Sequence, residues 1–239
     1  TSSYSVTGVQ TCALPIYRAV ASGQSEPLRG SPRLTAQPLR TLDFQSLPLN
    51  NIAMPNSTPP TSQAAKVFQA AIKDAEILLD QFDKLNSKPP PPQTEVFKRA
   101  GLILALTAWE TYIEDRLSEA LQPRLQQIAG SPLAHFVESK FREDIARLHN
   151  PNSAKTQKLF LDYLSIDVTK TWAWSGLGVP TTRKYLDTLV SKRGDAAHRS
   201  PASALTTVNG HIVKRDELEK GIALLKFLVE ATDLALKQI

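Results

Sequence analysis

One cysteine, Cys12, and one methionine, Met54, occur in 239 residues. A lone thiol excludes an intrachain disulfide framework and a zinc site built from several cysteines. No run of 18 or more apolar residues is present, so no membrane-spanning helix is expected, and the first thirty residues lack the charged-then-apolar layout of a secretory signal. The expected compartment is the cytoplasm. The ten glycines are scattered; none forms a phosphate-cradling loop, and HExxH and nucleophile-elbow patterns are missing too, which removes the commonest nucleotide, zinc-protease and hydrolase readings. Charge of one sign is scarce: 28 basic and 23 acidic residues give +5, and four arginines against two acids before residue 62 leave +3 for the remainder. That excess permits nucleic-acid binding without arguing for it. What is present, 41% hydrophobic and 21% charged residues, suits one globular domain with a tail.

Val6 to Ile16, VTGVQTCALPI, resembles the conceptual translation of a sequencing-library adapter, so residues 1–16 are expected to be an assembly artefact, and Cys12 goes with them. Tyr17 to Ala53 is rich in Pro, Ser, Leu and Arg without periodicity, as expected of upstream sequence read in frame or of a disordered tail. Met54 is the candidate natural start, residues 54–61 are a short linker, and the folded domain is expected over 62–239.

From Ser62 the pattern is helical. Ala65, Phe68, Ile72, Ala75, Leu79 and Phe82 recur at three and four residues, which makes one face apolar. Pro89 to Pro92 form a stiff connector. Thr94 is the expected N-cap of a second helix with Leu102, Leu106, Trp109, Ile113 and Leu117 on one stripe, which Pro123 ends or kinks. Ser131 and Pro132 open a third helix to about Leu148, stopped by His149-Asn150-Pro151, and Ser153 caps a fourth, Ala154 to Leu164. Residues 165–180 form a structured loop with two tryptophans. Thr181 or Thr182 caps a fifth helix with Tyr185, Leu186, Leu189 and Val190 inward. A small β-hairpin is expected near 206–213, around Asn209-Gly210. Asp216 caps a long closing helix. The whole reads as an all-α bundle of about five to six helices.

Within the fifth helix, RGDAAH at 193–198 places an arginine and a histidine five positions apart, just before the Ser200-Pro201 break. On spacing alone these are cations favoured at a helix C-terminus by the macrodipole. The segment also fits the R-x4-6-H signature of the HEPN superfamily, all-helical domains associated with nucleotides and RNA. Together with ALTAWETYIEDRL, LFLDYLSIDVTKTWAW, LDTLVSKRGDAAHRS and the closing amphipathic helix, it makes residues 62–239 resemble the RiboL-PSP-HEPN group.

The resemblance implies a HEPN-like bundle and a metal-independent endoribonuclease acting as a homodimer in a toxin–antitoxin or antiphage defence setting. It implies no cofactor, no metal and no membrane, and as partners RNA and an antitoxin or defence protein. Arg193 and His198 are the implied catalytic pair. RNA carries its own nucleophile, the 2′-hydroxyl, so the enzyme need only remove that proton, hold the phosphate and protonate the leaving 5′-oxygen. Histidine titrates near neutrality and arginine offers a fork of donors to phosphate, so both are suited to that work. The departure is Gly194, where the family commonly has a polar residue; Asp195 comes one position late.

Geometry sets a condition. Five residues along a regular helix turn about 500°, so the two side chains leave about 140° apart and about 7.5 Å along the axis. Either the helix deforms at Gly194 or two copies build a composite site. Glu110, mid-helix beside Trp109, needs a partner such as Arg193 if buried and would then orient it; otherwise it lies on an exposed face. Asp195 is the other candidate orienting residue. Lys192 and Arg199 hold neighbouring phosphates or are solvated surface. Trp172 and Trp174 stack bases or pin their loop to the core. His135, His149 and His211 show no ligand spacing and read as incidental. The alternatives to an enzyme are a non-catalytic HEPN module that binds RNA or a partner protein, and a bundle with no nucleic-acid role.

Overall fold

Six α-helices and no strand are found among the described residues, which in this computed structural model are 62–87, 91–198 and 213–237. The expected hairpin, Arg199, His211 and everything before Ser62 lie outside them, and His198 enters through its backbone alone. The helices are α1 (Gln63–Leu85), α2 (Glu95–Gln127), α3 (Pro132–Ala146), α4 (Ser153–Leu164), α5 (Val179–His198) and α6 (Arg215–Leu236). None is long and apolar enough to cross a membrane.

The central element is α2, which contacts each of the other five helices. Its expected stripe is buried along its whole length, with Leu102, Ala105, Leu106, Trp109, Tyr112, Ile113 and Leu117 all on one core-facing side. α1 lays Phe68, Ile72 and Ala75 along it, and α6 lays Leu218, Leu225 and Leu228 into the same core. Close approach of α2 and α6 depends on Gly101, where a β-carbon would sit 2.8 Å from Cδ2 of Leu218. An aromatic cluster fills the middle: Trp109 stacks on Tyr112 at 5.8 Å and meets Trp172 edge-on, and Phe68 meets Tyr112 edge-on at 6.0 Å. Such pairs add about 0.5–1.5 kcal/mol each beyond the area they bury.

The helix ends differ from the sequence expectations in instructive ways. Pro123 does not end α2, which continues to Gln127. Leu121 and Leu125 on either side of it are buried, and at about 1.5–3 kcal/mol for each buried leucine packing outweighs the roughly 3 kcal/mol penalty of an interior proline. Thr94 sits at the N-cap position of α2 without capping it; it ends a 3₁₀ turn, Pro92–Thr94, and its hydroxyl donates to Pro91 O at 2.7 Å. Ser131 caps α3 as expected, accepting from Ala134 N at 3.1 Å. Asn152, not Ser153, caps α4, its Oδ1 accepting from Lys155 N. Ser153 instead donates both its N–H and its hydroxyl to Asp187 of α5, at 2.7 and 2.9 Å. Thr181 and Thr182 lie inside the first turn of α5, which starts at Val179. Asp216 is likewise in the first turn of α6; the N-cap residue is Lys214, whose N–H donates to Oε2 of Glu217.

A second polar tie fixes α1. Ser62 caps it, accepting from Ala65 N at 3.0 Å, and donates its N–H and hydroxyl to the carboxylate of Asp233 on α6. Tyr112 OH and Arg116 Nε donate to the same carboxylate, both at 2.8 Å. Glu119 accepts from the next two N–H groups, of Gln63 and Ala64, so the orphan donors of this helix end are satisfied.

Candidate active site

Leu186, Leu189, Arg193 and Ala196 fall at i, i+3, i+7 and i+10 along α5, a single inward stripe. The two leucines and Ala196 are buried. Arg193 thus occupies a position where the pattern calls for an apolar residue, and its side chain is only 21% exposed. A guanidinium there must find acceptors.

It finds them on two other parts of the chain. Nη1 donates to Oε2 of Glu110 on α2 at 2.5 Å and to Oδ1 of Asn150 in the α3–α4 turn at 2.7 Å. Nη2 donates to Thr107 Oγ1 on α2 at 3.2 Å, while that hydroxyl donates to Ile103 O. Thr107 and Glu110 are three residues apart and so share a face of α2. Asn150 has φ 52°, in the left-handed region, which asparagine adopts more readily than most residues. The next residue, Pro151, accepts from Trp109 Nε1 at 2.9 Å. The α3–α4 turn is therefore pinned to the core immediately beside Glu110.

The turn also delivers His149, whose Nδ1 lies 3.8 Å from Oε1 of Glu110. One carboxylate thus faces a guanidinium with one oxygen and an imidazole with the other. Glu114, one turn further along α2, has its carboxyl pushed up from the ordinary range by burial first and then by the negative charges of Glu110 and Asp115, with His149 opposing. Among the described residues no three His, Cys, Asp or Glu side chains are grouped to hold a metal.

The model of the RiboL-PSP-HEPN family, within the HEPN superfamily, matches residues 69–238, the stretch that holds these helices and this turn. The chain belongs to that family. No curated protein and no solved structure matches it.

Other candidate residues fare unevenly in this HEPN domain. Glu110 is the half-buried partner of Arg193, one of the two placements open to it. The helix does not deform at Gly194: α5 remains helical through His198, so the option of a local break that brings Arg193 and His198 to one face is corrected. Trp172 and Trp174 are buried and present no ring face to a base. Trp172 donates from Nε1 to Thr232 Oγ1 at 3.0 Å, so the pair pins its loop to the core, which corrects the stacking role. Lys192 is turned to α6, its Nζ 2.6 Å from Oε1 of Glu217, and is not poised to hold a phosphate beside Arg193. Asp195 is half-buried and joins none of the contacts around Arg193 described above. The sequence pattern alone does not mark His149, Asn150 or Thr107 as site residues. Thr107 was legible as the i−3 neighbour of Glu110, and Asn150-Pro151 as a turn; nothing in the spacing pointed His149 at them.

Proposed function

We propose that this HEPN protein is a metal-independent endoribonuclease in which Arg193 clamps the scissile phosphate and His198 transfers a proton during attack by the 2′-hydroxyl. The observation that carries the reading is the setting of Arg193. A cation serving as a helix-end cap would lie in solvent, whereas this one sits on the inward stripe of α5 and is held by Glu110, Asn150 and Thr107. Those contacts take three of its five N–H donors and pre-position the remainder, as a phosphate clamp requires.

Because α5 stays helical through Gly194, this reading assigns the working site to two copies of the chain, each presenting its Arg193/His198 segment to the other about a two-fold axis. A toxin or antiphage role is the setting that the family suggests.

The test is incubation of the purified chain and its Arg193→Ala/His198→Ala variant with a mixed RNA pool in EDTA, followed by end-group analysis. Cyclic 2′,3′-phosphate and 5′-hydroxyl ends made only by the unmutated protein are expected. Equal cleavage by the double variant overturns the reading. Salt-dependent binding without any cleavage points instead to a non-catalytic HEPN module, since phosphate contacts alone impose a salt slope.

A further inference from the structure

We infer that His149 is a second catalytic histidine of the proposed ribonuclease, the general acid that protonates the departing 5′-oxygen. The inference rests on the ribonuclease reading and adds to it a residue from outside the Arg193–His198 segment.

Three observations converge on His149. Its position is imposed: Asn150 in the left-handed region, Pro151 O accepting from Trp109 Nε1, and its own carbonyl accepting from Lys155 Nζ fix the turn that carries it. Its neighbour is the carboxylate that holds Arg193: Oε2 of Glu110 takes the guanidinium at 2.5 Å and Oε1 faces His149 Nδ1 at 3.8 Å. Its exposure is of the opposite kind, with the His149 side chain 76% exposed and Glu110 17%. A half-buried carboxylate on the Nδ1 side of an exposed imidazole leaves the other ring nitrogen, Nε2, for the solvent from which a polymer must approach.

A solvated histidine at a helix stop would have no such backing. His149 lies beyond the last residue of α3, Ala146, and what it faces is a carboxylate from a different helix. His198, by contrast, sits five residues from Arg193 on an undeformed helix, about 140° around it. Among the described side chains, His149 is the imidazole that stands beside the clamp.

The step balances with two histidines. The 2′-oxygen bonds to phosphorus as its proton passes to the neutral imidazole of His198. The P–O5′ bond breaks, and the imidazolium of His149 gives its Nε2 proton to the departing oxygen. Arg193 stays charged throughout, and the products are a 2′,3′-cyclic phosphate and a 5′-hydroxyl, with no proton gained or lost overall.

The discriminating experiment uses two oligonucleotides, one with an ordinary 5′-oxygen at the scissile bond and one with sulfur bridging there, because a thiolate leaves without being protonated. The full chain and its His149→Ala, His149→Gln and His198→Ala variants are assayed, each checked for unchanged helicity by circular dichroism. Both His149 variants should be slowed about 10²- to 10⁴-fold on the oxygen substrate and cut the sulfur substrate within a few-fold of the unmutated rate, while His198→Ala should be slow on both. If the His149 variants cut the oxygen substrate at the unmutated rate, or lose equally on both, His149 is not the acid, and the ribonuclease reading stands without it. If the unmutated chain cuts neither substrate, that reading fails and takes this inference with it.

Discussion

Arg193 on α5 and Glu110 on α2 are 83 positions apart in sequence and paired at 2.5 Å in the fold, each largely withdrawn from solvent. The pair sets the direction of the clamp, and its disruption has two separable effects. Glu110→Gln keeps the shape of the side chain and removes its charge, so Arg193 keeps a weaker acceptor in the same place. Its partial exposure limits the stability loss to about 1 kcal/mol, or a melting temperature lower by about 2–4 °C. Cleavage should fall further than that modest change suggests, mainly in kcat, because a guanidinium off by about 1 Å no longer meets the phosphate in flight. Thermal melts and steady-state kinetics on the same preparation separate the two. A large fall in stability with unchanged kcat is the contrary result.

Asp233 is the most consequential buried acid for the fold. Its carboxylate accepts from Ser62, Tyr112 and Arg116, and the Arg116 pair is buried at 2.8 Å. Asp233→Ala leaves the Arg116 charge uncompensated, and loss of one member of a buried pair costs about 3–5 kcal/mol. Tyr112→Phe removes a single hydroxyl and should cost nearer 1 kcal/mol. Urea denaturation of the two variants should rank them in that order. Burial and the Asp233 charge both push the Tyr112 phenol well above its usual range, so it is a donor to Asp233 at neutral pH.

The contrast between these two networks explains what could be read in the sequence and what could not. Helix number, the inward stripes of α1 and α5 and the Ser131-Pro132 start are local, set by spacings of three and four residues and by a cap beside its own helix. Pro123 misled because its penalty is local while its compensation, the burial of Leu121 and Leu125, is tertiary. Ser153 misled because a serine at a helix start caps by default, and Asp187, which claims its hydroxyl, lies 34 positions away. At the site, Glu110 was legible as a charged residue in an apolar stretch, and Arg193 through the R-x4-6-H signature, since spacing alone made it a helix-end cation. His149 was not, since its only signal is a contact made by the folded turn.

Glu114 gives a pH prediction of definite sign. Its folded carboxyl is raised above the ordinary value by burial and by Glu110 and Asp115. Ionisation is therefore harder in the folded chain than in the unfolded one, and the penalty is present above the folded pKa and vanishes as pH falls below the unfolded value. Glu114→Gln should accordingly melt higher than the unmutated protein at neutral pH and level with it in acid, where both side chains are neutral. Removal of this negative charge one turn from Glu110 should also tighten RNA binding and shift its salt dependence. A variant that melts lower at neutral pH contradicts the sign.

Gly194 follows Arg193 directly, and nothing in the fold demands a glycine there. The residue is helical, and a β-carbon built on it meets nothing within 4 Å, so neither a positive φ nor a close approach demands glycine. An interior glycine in an exposed helix is weaker than alanine by about 0.5–1 kcal/mol. Gly194→Ala should therefore raise the melting temperature by roughly 1–4 °C. Its effect on cleavage separates two accounts of how Arg193 and His198 cooperate. If the working site joins the segments of two copies, α5 can remain rigid, and the alanine variant should cleave RNA at close to the unmutated rate. If instead each copy must flex at Gly194 to bring its own His198 round to Arg193, the stiffened helix should slow cleavage at least tenfold while the stability gain persists. Melting curves and initial rates from one purified variant distinguish them, and the undeformed course of α5 favours the first.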